Sequence, residues 1–245
     1  MNLLIIGVGH LAKILIAEIR NDNQSKIKTI TGTSRDLTRI SNLGLDEVVE
    51  FSKIDELLKK KTFDHIVFTL PPIPDYQALI ERIHVECHSK SKWTFVSSTG
   101  VYHQGRNSAA LISNENFLRS LSREVYIVRP GGLIDEKRNP VFVLSRKDEV
   151  DGFNQPVNVV HTLDVARFIK FLIENDIKVD DYDLVSDDSM TKSEFYGPFF
   201  GHYNLKIPKM NDSENKTTHL SNIKSKDTGF KYIAPAIFEY IAKRD

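Results

Sequence analysis

Cysteine is nearly absent from the chain. Cys87 is the only one in 245 residues, which excludes an internal disulfide framework and a Cys-rich zinc site. An excess of charge of either sign is missing too, since 33 Lys+Arg face 33 Asp+Glu. A zero balance argues against a dedicated nucleic-acid or anionic-membrane surface, although a local patch survives a zero sum. No apolar run approaches the roughly 20 residues that cross a bilayer. The stretch 3–6 soon meets His10, Lys13 and Glu18, and the start lacks the positive residues of a secretory signal. The eight histidines show no HExxH or comparable ligand spacing, so no metal site is expected. Hinge-like Gly/Ser or Pro-rich linkers and internal repeats are also missing. Asn211-Asp212-Ser213 and Asn215-Lys216-Thr217 match the glycosylation acceptor pattern, which without a secretion signal reads as a solvated loop. The expectation is a soluble cytoplasmic protein.

What is present is a foldable α/β pattern. At 40% hydrophobic and 27% charged the chain is neither disordered nor fibrous, and its length buries roughly 70–75% of the unfolded surface without staples. Apolar runs at 3–6, 27–31, 48–51, 65–70, 93–97 and 125–129 read as strands. Amphipathic stripes run between several of them. Leu11, Ile14, Leu15 and Ile19 form one. Tyr76, Leu79, Ile80, Ile83 and Cys87 form another, with Asp75 as its N-cap. That stripe puts Cys87 on a core side, where a free cysteine acts as a small hydrophobe. A helix is expected over 109–121.

Regular alternation implies right-handed crossovers and a parallel sheet with helices on both faces. After Arg129 the pattern changes. Strands fit 157–160 and 182–185, a helical stripe runs through Val165, Phe168, Ile169, Leu172 and Ile173, and 186–231 is polar and punctuated by Gly197-Pro198, Gly201 and Pro208. The fold class is therefore a Rossmann-type doubly wound parallel sheet with a small C-terminal substrate lobe. It forms one domain over 1–245, its core mainly 1–135 and its lobe mainly 136–245.

Gly7-Val8-Gly9-His10-Leu11-Ala12 is GxGxxA between a strand and a helix. Gly7 permits a tight turn, Gly9 lets backbone approach a pyrophosphate, and Ala12 permits close helix–strand packing. The helix N–H groups then face the phosphates. At the end of the second strand, an NAD site commonly places a carboxylate against the ribose hydroxyls. Here stand Thr31-Gly32-Thr33-Ser34-Arg35. Ser34 and Arg35 suit a 2′-phosphate, which favours NADP over NAD. Asp36 follows, as a candidate cap of the next helix.

The residues resemble the extended (atypical) short-chain dehydrogenase/reductase superfamily, especially its nucleoside-diphosphate-sugar epimerase-like members. The resemblance spans nearly the whole sequence. It rests on the glycine turn, Thr69-Leu70-Pro71-Pro72, Ser97-Ser98-Thr99-Gly100-Val101-Tyr102 and Arg129-Pro130-Gly131-Gly132. It continues through the stretch from Val159 to Ala166, Tyr182-Asp183-Leu184-Val185, Ser221-Asn222 and Gly229-Phe230. It implies an NADP-binding oxidoreductase or epimerase-like enzyme that transfers hydride at a carbonyl/alcohol carbon of a small polar or nucleotide-linked substrate, such as a sugar nucleotide. Leu70, Pro71, Pro72, Ser97, Pro130 and Gly131 then join the cofactor-binding candidates.

In that family a serine or threonine after the fifth strand hydrogen-bonds the reacting oxygen, which corresponds here to Ser98. Its hydroxyl can donate to a developing oxyanion or simply finish a strand by bonding nearby backbone. The family's proton-transfer group is a Tyr with a Lys four residues later. A phenol titrates near 10 and needs a neighbouring cation to ionise at neutral pH. Alignment on Glu115-Asn116-Phe117-Leu118 puts Asn107 and Leu111 at those two positions, and no lysine occurs between Lys92 and Lys137. Tyr102 is the candidate replacement, with Arg106 at a similar spacing across Gly105. His103 is a second candidate by intrinsic pKa. His161 and Asp164 read as chain entry into a helix capped by Thr162. Loss of the Tyr/Lys pair keeps a second function open: a non-catalytic NAD(P)-binding sensor or scaffold.

Overall fold

Short apolar runs alternating with amphipathic stretches close into one seven-stranded sheet. The computed structural model describes residues 1–71, 73–102, 106–121, 124–214 and 217–242. In chain order the elements are β1 (Asn2–Ile6), α1 (His10–Arg20), β2 (Thr29–Ser34), β3 (Glu47–Glu50), α2 (Ile54–Lys60), β4 (His65–Phe68), α3 (Tyr76–Glu86), β5 (Lys92–Val96), α4 (Arg106–Ser120) and β6 (Val125–Pro130). They continue with β7 (Gly132–Ile134), α5 (Val141–Leu144), β8 (Glu149–Asp151), β9 (Val159–His161), α6 (Thr162–Glu174), β10 (Asp181–Leu184), α7 (Lys192–His202), β11 (Lys209–Asn211), α8 (Ile223–Lys226) and α9 (Ile237–Ala242).

The sheet order is β10-β6-β5-β4-β1-β2-β3, the doubly wound order expected from the glycine turn. β1 is central, and Leu3 through Ile6 are fully buried, as an unbroken apolar run covered on both faces requires. Its register is Ile6 opposite Thr33 of β2 and Phe68 of β4. β4 in turn sets Phe68 opposite Phe95 of β5. Both pairings are parallel, so β1, β4 and β5 end on one edge of the sheet.

The chain divides into two compact units. The first is Met1–Arg129 with Val165–Tyr182, and the second is Pro130–Asp164 with Asp183–Asp245. In the first, α1 buries Leu11, Ala12, Leu15, Ile16 and Ile19. A separate cluster holds Phe68, Trp93, Phe95 and Ile127, each fully buried large side chain contributing roughly 1.5–3 kcal/mol. Cys87 follows α3, is buried, and donates to the His84 carbonyl. The second unit holds two parallel strand pairs, β7 with β9 and β8 with β11. Its core is markedly aromatic, with Phe153, Phe195, Phe199 and Phe200 buried.

Several local expectations need correction. β2 runs on through Gly32 to Ser34 rather than ending at 31, because its pairing with β1 continues to Ile6 and Thr33. Asp75 stands at the N-cap of α3 in a left-handed conformation (φ 58°). It makes no side-chain capping bond there and supplies its carbonyl to the Leu79 amide instead (3.0 Å). α4 begins at Arg106, a turn earlier than expected. Thr162 is inside α6, and its hydroxyl donates to Asp135 Oδ2 (2.6 Å) rather than capping. Gly197-Pro198 does not interrupt the chain but lies within α7. A complete Thr191/Glu194 capping box starts that helix, and the burial of Phe195, Tyr196, Phe199 and Phe200 holds it. Packing of that size outweighs the roughly 3 kcal/mol that an interior proline costs.

Candidate functional site

The β1–α1 turn has its form because only glycine satisfies it. Gly7 takes φ +87°, and a Cβ there would stand 2.4 Å from Leu70 Cδ2. Its N–H donates to Thr33 Oγ1 (3.1 Å), while its carbonyl accepts from Thr69 Oγ1 (2.6 Å). Gly9 is the opposite case. A Cβ there would meet nothing within 4 Å, so the helix N-terminus is left open to a ligand. Lys13 N–H closes the first helical bond to the Gly9 carbonyl (3.0 Å).

That bare backbone opens onto a cleft of about 500 Å³, within the range usual for small-molecule sites. Seven of the sequence candidates line it together: Gly7, Gly9, His10, Ser34, Arg35, Leu70 and Pro71. Leu11 and Ala12 are buried beneath the turn and do not line it. Pro72 lies outside the described residues. The cleft also takes in Lys13, Asp36, Arg39 and Phe51, which sequence reasoning had not assigned to it. Ser34 Oγ is held in its own loop, donating to the Asp36 carbonyl (3.0 Å) and accepting from the Asp36 N–H (3.1 Å).

Asp36 caps the turn of 3-10 helix at Leu37–Arg39. Its Oδ1 accepts from Thr38 Oγ1 (2.6 Å) and Thr38 N (3.1 Å), and Oδ2 pairs with Arg39 Nε (2.9 Å). The Thr38 hydroxyl is the main reason this carboxyl stays below its usual range, with the Arg39 charge adding to it. The first carboxylate after β2 is thus engaged within its own loop. With Arg39 paired to Asp36, Lys13 and Arg35 are the further cations that line the cleft, which suits a polyanion.

One strand further along the same edge the materials change. Because Phe68 pairs with Phe95, Ser97 and Ser98 follow β5 where Leu70 and Pro71 follow β4. Ser97 is buried and donates to Glu115 Oε1 (2.6 Å). Ser98 is half-buried, and its Oγ accepts from Gly100 N–H (3.0 Å), which leaves the hydroxyl proton to donate elsewhere. Tyr102 ends the 3-10 turn Thr99–Tyr102 and is 48% exposed. Its oxygen accepts from Arg129 Nη1 (3.1 Å).

Arg129 is the hub of this flank. Its Nε donates to Glu115 Oε1 (2.9 Å), and its Nη2 donates to Glu115 Oε2 (2.5 Å) and Asp181 Oδ2 (2.7 Å). Arg119 bridges the same two carboxylates. Burial alone would raise the Glu115 pKa, but the bonds from Arg129, then Ser97, outweigh it and hold the carboxyl below its ordinary value. At the position where the resemblance places lysine, Leu111 is buried. The side chains of Arg106 and Asn107, and all of His103, lie outside the described residues.

The remaining candidates belong to the second unit. Gly131 N–H donates to the Leu184 carbonyl (2.9 Å), and a Cβ on Gly131 would meet the Asn158 carbonyl oxygen at 2.6 Å. Glycine there is explained by strand packing, and Pro130 precedes it at the end of β6. Asp164 is buried and accepts from the amides of Ile233 (2.7 Å) and Ala234 (3.0 Å), a structural use. His161 is buried with its ring edge-on to Tyr240, centroids 5.1 Å apart. Among the described residues, no group of three or more His, Cys, Asp or Glu could hold a metal ion, and no helix is long and apolar enough to cross a membrane.

The fold is that of the extended short-chain dehydrogenase/reductases and nucleoside-diphosphate-sugar epimerases. A conserved protein of unknown function from Silicibacter pomeroyi superposes with a TM-score of 0.77 at 17% identity, covering 99% of this chain and 98% of that one. The UDP-glucuronic acid 4-epimerase of Bacillus cereus in complex with NAD gives 0.69 at 12% identity, covering 99% of both chains. A human epimerase family protein with NADPH gives 0.71 at 15%, again covering 99% of both. No family profile and no curated protein matches the chain by sequence.

Proposed function

We propose that the chain binds a nicotinamide dinucleotide, NADP in preference to NAD, and works as a reductase or epimerase-like enzyme on a small polar or nucleotide-linked substrate. One observation carries the reading: the open glycine turn and Arg35 line the same cleft. The residues present fit such a group. Gly9 offers backbone that no neighbour covers, and the N-terminus of α1 favours a pyrophosphate. Arg35 meets a 2′-phosphate, and Asp36, engaged by Thr38 and Arg39, does not compete for ribose hydroxyls. The NAD and NADPH bound to structural neighbours, and UDP-glucuronic acid in one of them, support the ligand class.

When bound, the dinucleotide supplies hydride. The chain's own residues do the rest. Ser98 donates its hydroxyl proton to the reacting oxygen and stabilises charge developing there. Tyr102 takes or returns the proton on that oxygen. Ser97 bonds Glu115 and so fixes the end of β5 beside Ser98.

Titration with NADPH and NADH tests this directly. Arg35→Asp is expected to weaken NADPH by about ten- to a hundredfold, the equivalent of one or two charge-assisted hydrogen bonds, and NADH far less. Equal losses would overturn the preference for NADP, and failure to bind either nucleotide would remove the reading. Tight binding with no hydride exchange over a broad carbonyl and sugar-nucleotide panel would favour the sensor or scaffold function, for which the missing Tyr/Lys pair speaks.

A further inference from the structure

We infer that Arg129 is the cation that activates the Tyr102 phenol, standing on β6 in place of a lysine on α4. The inference rests on the hydride-transfer reading above, since it assigns the positioning residue for that site's proton-transfer group. Two carboxylates fix the guanidinium: Glu115 takes Nε and Nη2, and Asp181 takes Nη2 as well. Its Nη1 donates to Tyr102 Oη at 3.1 Å, with Cζ 5.7 Å from the ring centroid. A guanidinium N–H donated to a phenol oxygen favours the ionised form over the neutral one.

Arginine does not give up its own proton. Arg129 therefore polarises, and the proton leaves from Tyr102 itself, to water or to a substrate oxygen. The phenol is well placed for this, because the residue is half exposed while its oxygen is anchored. The turn that carries it starts directly after Ser98, on the sheet edge that also bears Leu70 and Pro71.

The surrounding charges have to be weighed. Among the described residues, α4 contributes Glu115 and Arg119, β10 contributes Asp181, and β6 contributes Arg129. Two of these are cations and two are anions, so their distances from the phenol matter more than their number. Direct contact weighs most, and Arg129 Nη1 donates to the Tyr102 oxygen. The carboxylates act one step further away, by fixing where that cation points.

The test reads ionisation rather than turnover. Eight tyrosines are present, and the ultraviolet tyrosinate titration of the protein minus that of Tyr102→Phe isolates one of them. The expected midpoint is below about 9, at least one unit under the ordinary value near 10. A midpoint of about 9 or higher overturns the inference. In a second arm, Glu115→Gln with Arg129→Gln removes both charges together, so no buried ion is stranded. The midpoint should rise by about one unit or more, and an unchanged midpoint overturns the role of Arg129. The first arm stands by itself if the double variant fails to fold. NADPH titration of the same samples separates the two levels. Nucleotide binding with an ordinary phenol removes this inference alone. A low midpoint without nucleotide binding upholds the activated phenol and removes the hydride-transfer reading.

Discussion

Beside β1 and β2 the candidate site is built mostly from backbone. Gly7 and Gly9 present a bare turn, Thr33 and Thr69 pin it, and the cations stand at its rim. Beside β5 and β6 the site is built from side chains, with Ser97, Tyr102, Glu115 and Arg129 tied into one network. The difference teaches where each flank is fragile. A backbone site depends on the few positions where no Cβ fits. A buried charged network depends on every member, because removing one partner strands another in a poorly solvated place.

The largest effect should come from the network. Arg129→Ala leaves Glu115, whose side chain is 3% exposed, without its bidentate partner. The expected loss of stability is about 3–5 kcal/mol, read from urea unfolding midpoints at neutral pH. Arg119 bridges the same carboxylates but is 40% exposed. Arg119→Ala should cost less than about 1 kcal/mol. Similar losses in the two variants would show that burial does not set the worth of these pairs.

A smaller effect is expected in the turn. Gly7→Ala forces a Cβ onto Leu70 at a positive φ, and its cost should be about 1–3 kcal/mol. Gly9→Ala, with open space around it, should leave stability within about 0.5 kcal/mol and weaken nucleotide binding, since the methyl stands where a pyrophosphate would approach. Thermal unfolding and nucleotide titration of both variants read this contrast. A stable Gly7→Ala, or a Gly9→Ala that binds as the parent does, would break it.

The two flanks also differ in how far the sequence disclosed them. Gly7, Gly9 and Arg35 were legible because the turn is local: its parts lie within a few residues of a strand end, and each residue type has a stereochemical reason. The sheet order was legible from the same turn and from the alternation of apolar runs. Asp36 was readable as a cap, but its engagement of Arg39 was not. Arg129 was visible as the charged end of an apolar strand. Its contacts with Tyr102, Glu115 and Asp181 span 27, 14 and 52 residues, and such pairings exist only once β5, β6, α4 and β10 are side by side. α7 was obscured for a related reason. Gly197-Pro198 is locally a break, and only the aromatic core of the second unit makes it a helix.

The last effect is read as a slope against pH and lies in β4, the strand between the two flanks. At its far end His65 is buried, with Nε2 2.8 Å from Thr94 Oγ1 and its ring stacked with Tyr126, centroids 6.1 Å apart. Burial, helped by the Lys92 charge, pushes its pKa down to about 3, whereas an unfolded histidine titrates near 6.5. Between those values the unfolded chain binds the proton that the folded one refuses, so stability rises with pH across that window. The contribution is complete above about 6.5 and is lost toward 3, at up to about 1.4 kcal/mol per pH unit. Glu115 is held below 4.5, so its contribution is present above that value and fades only as the pH falls below it. The interval from about pH 6.5 to 5 therefore isolates His65 from the network. His65→Gln keeps a partner for Thr94 and does not titrate. Urea unfolding across that interval should show a sloping stability in the parent and a flatter one in the variant. Equal slopes would mean that His65 is protonated alike in both states, and that acid acts on this sheet only through its carboxylates.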